Sequence, residues 1–250
     1  MRSPTTKASP RAKPARSPLK TRADKASPLT ARVKLAVVPP KARDADLAYD
    51  RIEQLIAKLE LQPGAPVVEA ELADMVQLGR TPVREALMRM VSAGLIVQNP
   101  RRGLVVSAID VVEHLDVIET RRVLERLIAA HSARRANDAQ RKALVAKAQK
   151  MLKAAERGQL DDYMLADQEL DHVNFDACGN RSAVNAVLPL IVKCRRFWYA
   201  YQHEGDVIAG AHAHLHMAQA IAQGDADGAK AGADGLMDYL VAFTRRVIDS

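Results

Sequence analysis

The sequence has little cysteine, few aromatic residues and no long apolar run. Its two cysteines, Cys178 and Cys194, give no disulfide framework, suit a reducing cytosol and are expected to pack as small buried hydrophobes. No apolar run approaches the roughly 18 residues that a membrane-spanning helix needs. No apolar segment typical of a signal peptide follows the N-terminus. We therefore expect a cytoplasmic protein that does not span a membrane.

Positive charge is concentrated at the N-terminus. Residues 1–43 contain twelve Lys or Arg and one acid, a balance of +11 within a total of +7, so residues 44–250 carry about −4. The segment has four Ser-Pro steps and almost no periodic apolar residues, so it cannot offset the entropy of ordering. It predicts a disordered basic tail that contacts DNA phosphates non-specifically. The alternatives are a solvated tail without a binding role, or sequence upstream of the true start.

Three short helices are predicted next. The third begins within a few residues before Pro82, because a helix tolerates proline only in its first turn. Asp44 or Asp46 can cap the first helix, and the second begins near Glu69. The apolar faces predicted for the three helices are Tyr49, Ile52, Ile56 and Leu59; Leu72, Met75 and Val76; and Val83, Leu87, Met90 and Val91.

Basic residues occupy two places that suit a DNA interface. Arg80 and Arg84 lie one turn apart at the start of the third helix, and arginine can bind guanine O6 and N7 in bidentate fashion. Residues 95–98 and 104–106 alternate like two strands, joined by a segment that includes Arg101 and Arg102. A hairpin with a basic tip is what a wing over a neighbouring groove requires.

The run Gly79-Arg-Thr-Pro-Val-Arg-Glu-Ala-Leu87, preceded by Leu61-Gln-Pro-Gly and followed by Gly94-Leu-Ile and Arg102-Gly103, closely resembles the winged helix of the GntR family of bacterial transcription regulators. The resemblance implies a winged helix-turn-helix over residues 44–109. It also implies operator contacts from Arg80, Thr81 and Arg84 on the recognition helix and from Arg101, Arg102 and Gly103 in the wing. The family usually has Ser or Thr where this chain has Gly79, so a hydroxyl that could bind a phosphate is absent.

Residues 110–250 predict an all-α antiparallel helical bundle. Asp110 and Glu113 have capping-box spacing and open a long helix whose inward residues are predicted as Leu115, Ile118, Arg122 or Val123, and Leu127. Further helices are predicted at 138–157, 160–178, 182–203, 207–223 and 226–248, with glycine stops and a kink at Pro189. The predicted fold is mainly α, a winged helix followed by a helical ligand-binding domain.

This second half resembles the FCD domain, the ligand-binding domain of the FadR-like branch of the GntR family. The matching runs are Glu119-Thr-Arg-Arg-Val-Leu-Glu125, Asp167-Gln-Glu-Leu-Asp171 and His214-Leu-His-Met-Ala-Gln-Ala-Ile-Ala-Gln-Gly-Asp225. By this resemblance Arg121, Asp167 and His214 are candidate effector-binding residues. Arg121 would pair with an effector carboxylate, or else form a structural ion pair with Glu119 or Glu125.

Many FCD domains hold a divalent metal such as zinc or nickel. Position by position, the resemblance places its ligands on Asp167, Asp171 and His214, while the fourth position falls on Leu236. A metal there would hold an acidic effector, with His172, His212 or His216 as substitute ligands. The alternative is a metal-free pocket. The aromatic cluster of Phe197, Trp198 and Tyr201 is interpreted as core more readily than as pocket.

The sequence thus predicts a dimeric, sequence-specific DNA-binding regulator, by default a repressor, that binds a palindromic operator and responds to a small acidic metabolite. One alternative is an architectural DNA binder without an effector. The other is a helical-bundle metalloenzyme, suggested by the Glu-x-x-His step of Glu169 and His172. Such enzymes need a second step of this kind, which the chain lacks.

Overall fold

The computed structural model describes residues 44–250, apart from the side chain of Glu204. The basic tail predicted at residues 1–43 lies outside the described residues. The described part is mainly α-helical, with three helices and a two-stranded hairpin followed by six longer helices. None of these helices is long and apolar enough to cross a membrane.

The first three helices are α1 (Asp44–Ala57), α2 (Glu69–Val76) and α3 (Arg80–Ser92). The start of α3 at Arg80 confirms the prediction from Pro82. Gly79 is the N-cap of α3 in an extended conformation, and no side chain caps the helix there. The first backbone N–H groups of α3 are therefore not satisfied by a capping side chain.

A two-stranded antiparallel hairpin follows, formed by β1 (Ile96–Asn99) and β2 (Gly103–Val106). The register pairs Ile96 with Val106 and Asn99 with Gly103. Pro66 forms an isolated antiparallel bridge to Val105, so the loop after α1 extends the sheet on the β2 side. The predicted wing is confirmed as a hairpin.

The core of this unit is formed by the inward faces of α1, α2 and α3 with β1 and β2, and Val192 from a later helix joins it. Three predicted core residues lie elsewhere. Met75 is 52% exposed and Val91 is 38% exposed, because each sits at the edge of its helix's buried face. Leu59 has a left-handed backbone beyond the end of α1. The pattern of apolar residues along a helix does not show which residue at the edge of its buried face a neighbouring element will cover.

The second half contains six helices: α4 (Val111–Arg135), α5 (Asp138–Glu156), α6 (Leu160–Cys178), α7 (Arg181–Tyr201), α8 (Val207–Gln223) and α9 (Ala226–Asp249). Gly179 and Gly224 adopt left-handed conformations at the ends of α6 and α8. This confirms the predicted glycine stops. Helix α4 is central and packs against α6, α7, α8 and α9.

The buried face predicted for α4 is partly wrong. Val123 is 68% exposed and Leu127 is 40% exposed, whereas the buried face carries charged and polar residues as well as apolar ones. Its buried residues are His114, Val117, Ile118, Arg121, Glu125, Ile128, Ala129, Ala130, Ser132 and Ala133. Ionisable side chains occupy part of the inner face of α4. A prediction that places the apolar residues of α4 inward therefore selects some residues that are exposed.

Candidate functional site

The first turn of α3 presents its polar side chains to solvent. Arg80, Thr81 and Arg84 are all exposed, while Val83 and Leu87 anchor the helix in the core. The structure therefore brings the predicted recognition residues together on one accessible surface. Exposed guanidinium groups at a helix N-terminus are suited to phosphate oxygens and to guanine edges.

Arg84 is held by a residue that the sequence did not single out. Its Nε donates to Glu69 Oε1 at 3.0 Å, and its Nη2 donates to Glu69 Oε2 at 2.7 Å. Glu69 opens α2, so the pair joins the first turns of the two helices of the helix-turn-helix. The only signal in the sequence was an acid at the start of the second helix, fifteen residues away.

The wing tip carries its two arginines on a turn fixed by its own backbone. Arg101 and Arg102 are exposed, and both of their backbone N–H groups donate to Asn99 Oδ1, at 3.0 and 3.2 Å. Gly103 closes the turn with a φ of +74°, a conformation that side chains with a Cβ rarely adopt. The basic tip is therefore pre-organised, and its guanidinium groups point away from the core.

A buried ionic cluster lies among the bundle helices. Arg195 on α7 donates through Nε to Asp167 Oδ2 at 2.9 Å and through Nη2 to Asp171 Oδ2 at 2.8 Å. Burial raises the pKa of Asp167, but Arg195 and His214 outweigh it and hold that pKa well below its usual range. Burial and the charge of Asp167 instead raise the pKa of Asp171 above its usual value.

His214 faces inward, as its helical position predicts. Its Nδ1 lies 2.8 Å from the carbonyl oxygen of Gly210, which makes Nδ1 the donor, and its Nε2 lies 3.2 Å from Asp167 Oδ1. Burial lowers the pKa of His214, but the effects that raise it, chiefly the hydrogen bond and charge of Asp167, together outweigh burial. The pKa of His214 therefore lies above the ordinary value. Protonated His214 therefore adds a second positive group beside Asp167.

Asp167, Asp171 and His214 do not fit a metal site. Among the residues that the structure describes, no three His, Cys, Asp or Glu side chains are arranged to hold a metal ion. Arg195 already lies between the two carboxylates, and its positive charge would repel zinc or nickel. Leu236, at the fourth position, is buried and has no donor atom. The predicted substitutes His172, His212 and His216 are exposed on other faces.

Arg121 forms the predicted structural ion pair rather than a free cationic group. Its Nε donates to Glu125 Oε1 at 2.8 Å, one turn along α4, and both side chains are buried. Cys194 also lies close enough for Arg121 to act on its thiol, although burial raises the pKa of that thiol overall. Arg121 thus has its own counter-ion before any ligand binds.

Four of these ionic groups, Arg121, Asp167, Arg195 and His214, line one small cavity of about 50 Å³, which we call the sensor pocket. Its wall also includes Trp198, so one residue of the aromatic cluster is a pocket residue, whereas Phe197 is fully buried core. The lining residues are Arg121, Tyr163, Met164, Asp167, Ile191, Cys194, Arg195, Trp198, His214, Leu236, Tyr239 and Leu240. No local sequence signal pointed to Arg195, because its carboxylate partners lie 24 and 28 residues away.

Comparison with known families matches both halves of the chain. Residues 45–106 match the family described as bacterial regulatory proteins, gntR family. Residues 116–238 match the FCD domain. A transcriptional regulator from the TAR-I ttuE-ttuC' intergenic region of Agrobacterium vitis, itself uncharacterised, is 30% identical over 137 residues, or 53% of this chain and 78% of that protein. The chain belongs to the GntR family. It is a DNA-binding transcription regulator with an FCD domain, and not an enzyme.

Two further proteins cover more of the chain. The HTH-type transcriptional repressor RspR of Escherichia coli strain K12 is 25% identical over 180 residues, 72% of this chain and 79% of that protein. The solved structure of E. coli McbR/YncC superposes with a TM-score of 0.71 at 17% identity, over 82% of this chain and 98% of that chain. The likeness to McbR/YncC shows that the two proteins share a fold.

Proposed function

We propose that this GntR-family protein is a dimeric repressor that binds a palindromic operator through α3 and the wing, and that a small acidic metabolite releases it. The observation that carries the DNA half of the proposal is the exposure of Arg80 and Arg84 on one turn of α3. Thr81 and the wing residues Arg101, Arg102 and Gly103 are proposed to add contacts to the same duplex. A winged helix over residues 44–109 would act with an effector and dimer domain over 110–250, and the basic tail would add non-specific attraction.

The sensor pocket is the proposed effector site. Arg121 and Arg195 are cations on its wall and His214 is a hydrogen-bond donor there, so a carboxylate ligand would compete with Asp167 for Arg195 and His214. The cavity holds about 50 Å³, so any metabolite must separate the helices that line it. Such a ligand would prefer one bundle packing over another, which is what regulation by an effector requires.

Helix α7 offers a route from this pocket to the DNA-binding unit. It carries Arg195, whose charge lowers the pKa of Glu53 on α1 against the effect of burial. It also carries Val192, which packs in the core of the winged helix. A shift of α7 on effector binding would therefore move a contact that both units share.

A stripe on α4 supports dimerisation. Val112, Val123 and Leu127 are 72%, 68% and 40% exposed and fall within one third of the helix circumference. A long helix with an exposed apolar stripe is suited to an isologous contact with the same stripe of a second copy. The name of RspR, a transcriptional repressor, supports repression as the direction of control.

The DNA proposal is tested with a duplex selected from random sequence by the purified protein. Arg80→Ala and Arg84→Ala should each weaken binding to that duplex by roughly 5- to 150-fold, measured by fluorescence anisotropy. Arg157→Ala, which removes an exposed arginine at the end of α5, is the matched control and should bind as wild type. Wild-type affinity in both test variants would rule out α3 as the reading helix.

The small size of the sensor pocket favours one other function, an architectural DNA binder without an effector. The two functions differ in ligand-linked stability, since a ligand that binds the native state raises its melting temperature. Thermal unfolding with a series of mono- and dicarboxylic acids separates them. Saturable stabilisation by one acid that also weakens DNA binding supports the repressor, and the absence of both effects supports the architectural role.

A further inference from the structure

Arg196 is a buried cation that has no carboxylate partner in the part of the chain that the structure describes. It lies on α7 beside Arg195 and is 2% exposed. Its Nη1 donates to Ser107 Oγ at 2.8 Å and its Nη2 to the Ser107 carbonyl oxygen at 2.6 Å, both neutral acceptors. Its Nε has no hydrogen-bond partner within residues 44–250. Burial lowers the pKa of Arg196 to about 10, even though the charge of Glu113 raises it.

Two other arginines of the bundle are compensated by carboxylates. Arg121 is paired with Glu125, and Arg195 is paired with Asp167 and Asp171. The acid whose charge reaches Arg196 is Glu113, but the Glu113 carboxylate is bound by Lys193 at 2.6 Å. A buried guanidinium whose hydrogen-bond acceptors are neutral is stabilised when an anion binds to it.

Arg196 lines a cavity of about 420 Å³ between the winged helix and the bundle, which we call the linker cavity. Its other lining residues are Gly94, Val97, Ser107, Ala108, Ile109, Asp110, Glu113, His114, Val117 and Lys193. The volume lies in the range of small-molecule sites, roughly 300–1,000 Å³. It is also far larger than the sensor pocket, and none of its lining residues belongs to that pocket.

A second unpartnered polar atom belongs to this cavity wall. His114 is 4% exposed, its ring stacks on Phe197 with centroids 3.8 Å apart, and its Nε2 has no partner among the described residues. Burial, together with the charge of Arg121, lowers its pKa to about 3, so the ring is neutral. The two acids on the wall are already engaged, since Asp110 caps α4 and Glu113 binds Lys193.

We propose that the linker cavity is a second small-molecule site, which accepts the carboxylate or phosphate group of a small metabolite on Arg196, with Lys193 as a second cation and His114 as a neutral hydrogen-bonding group. Ser107 to Asp110 form the connection between β2 and α4, so a ligand here contacts the segment that joins the DNA-binding unit to the bundle. Binding itself does not depend on the proposed repressor function. The effect of that binding on DNA affinity does rest on the proposed repressor function.

Thermal unfolding of the full chain tests the site, with inorganic phosphate and citrate titrated at constant ionic strength. The wild type should show saturable stabilisation by at least one of the two anions. Arg196→Met should abolish it, and Lys193→Gln should weaken the apparent affinity about tenfold, as loss of a charge-assisted hydrogen bond does. Lys147→Gln is the matched control, because Lys147 is also a part-exposed lysine paired with a glutamate, Glu169.

These titrations contain no DNA, so a failure of the linker-cavity proposal is distinguishable from a failure of the repressor proposal. Lys193→Gln carries the test if Arg196→Met does not fold. The histidine NMR spectrum adds a local readout, since the His114 ring signals should shift during the titration. Stabilisation by phosphate and not by citrate assigns a phosphate ligand, and the reverse assigns a carboxylate. Absence of saturable stabilisation by either anion, or equal affinity in wild type and Lys193→Gln, overturns the site.

Discussion

Arg84 donates to both carboxylate oxygens of Glu69, at 3.0 and 2.7 Å, so the guanidinium near the start of α3 is already paired in the absence of DNA. Its carboxylate partner lies on α2, the helix that precedes the recognition helix. A phosphate or a guanine edge must compete with Glu69 for the same donors. In the proposed complex, the pair is therefore expected to set how readily Arg84 engages DNA.

Replacing Glu69 by glutamine should tighten DNA binding. Glu69→Gln removes a negative charge beside the duplex and frees Arg84, so affinity should rise by up to about fivefold, the most that an exposed ion pair contributes. The melting temperature should change little, since the pair is solvent-exposed. Glu71→Gln removes an exposed acid from the same helical turn and serves as the control in the same anisotropy assay. A loss of affinity specific to Glu69→Gln would mean that Glu69 orients Arg84 in the complex.

Glu53 should make the native state less stable as pH rises towards 7. Burial raises its pKa from 4.5 to about 7, with Arg195 opposing the shift. Because the folded pKa lies above the unfolded one, the stabilising contribution of the protonated group is full below pH 4.5 and is lost between pH 4.5 and 7. Glu53→Gln should therefore match wild type near pH 4 and exceed its free energy of unfolding at pH 8 by on the order of 1–3 kcal/mol.

Urea unfolding at the two pH values measures this difference. Asp50→Asn is a useful comparison, because the pKa of Asp50 is also raised by burial, on the same helix. An equal stability gap between Glu53→Gln and wild type at pH 4 and pH 8 would contradict the assignment of the shift to Glu53.

His214 should titrate at a higher pH than an isolated histidine, and Asp167 should be the reason. Burial lowers its pKa, and the hydrogen bond and charge of Asp167 are the largest of the effects that raise it above the ordinary value. In Asp167→Asn the pKa of His214 should fall from its wild-type value, read from the imidazole NMR shifts and assigned with His214→Gln. Since protonated His214 stabilises the fold below pH 6.5 and that contribution disappears as pH rises through the folded pKa, the variant should lose more stability at pH 6 than at pH 9. A His214 pKa unchanged by the substitution would contradict the bond.

Helices α8 and α9 should tolerate no side chain at Gly232. A Cβ there would lie 2.6 Å from the Cα of Met217, which is backbone and cannot move aside. Gly232→Ala should cost about 1–3 kcal/mol in the free energy of unfolding, as overpacking does. Gly235, one turn along α9, has nothing within 4 Å of such a Cβ. Gly235→Ala should therefore stabilise by about 0.5–1 kcal/mol through helix propensity. Equal effects of the two substitutions in chemical denaturation would contradict the close approach of the helices.

Local sequence rules placed the elements well. Pro82 located the start of α3, and Gly179 and Gly224 located the ends of α6 and α8, because each of these residues restricts or permits a backbone conformation where it stands. The inward direction of His214 also followed from helical spacing. Spacing failed on α4, where the buried face includes Arg121 and Glu125, whose mutual charge makes burial acceptable.

The sequence by itself determined the GntR motif, the order of the helices and the exposed arginines of the recognition helix, since all of these depend on residues within a few positions of one another. Only the tertiary structure decided that Arg195 balances Asp167 and Asp171, that Glu69 holds Arg84, and that Arg196 bonds to Ser107. The physical reason is distance along the chain. Charge compensation depends on which side chains meet after folding, and the partners of Arg196 lie 89 residues away.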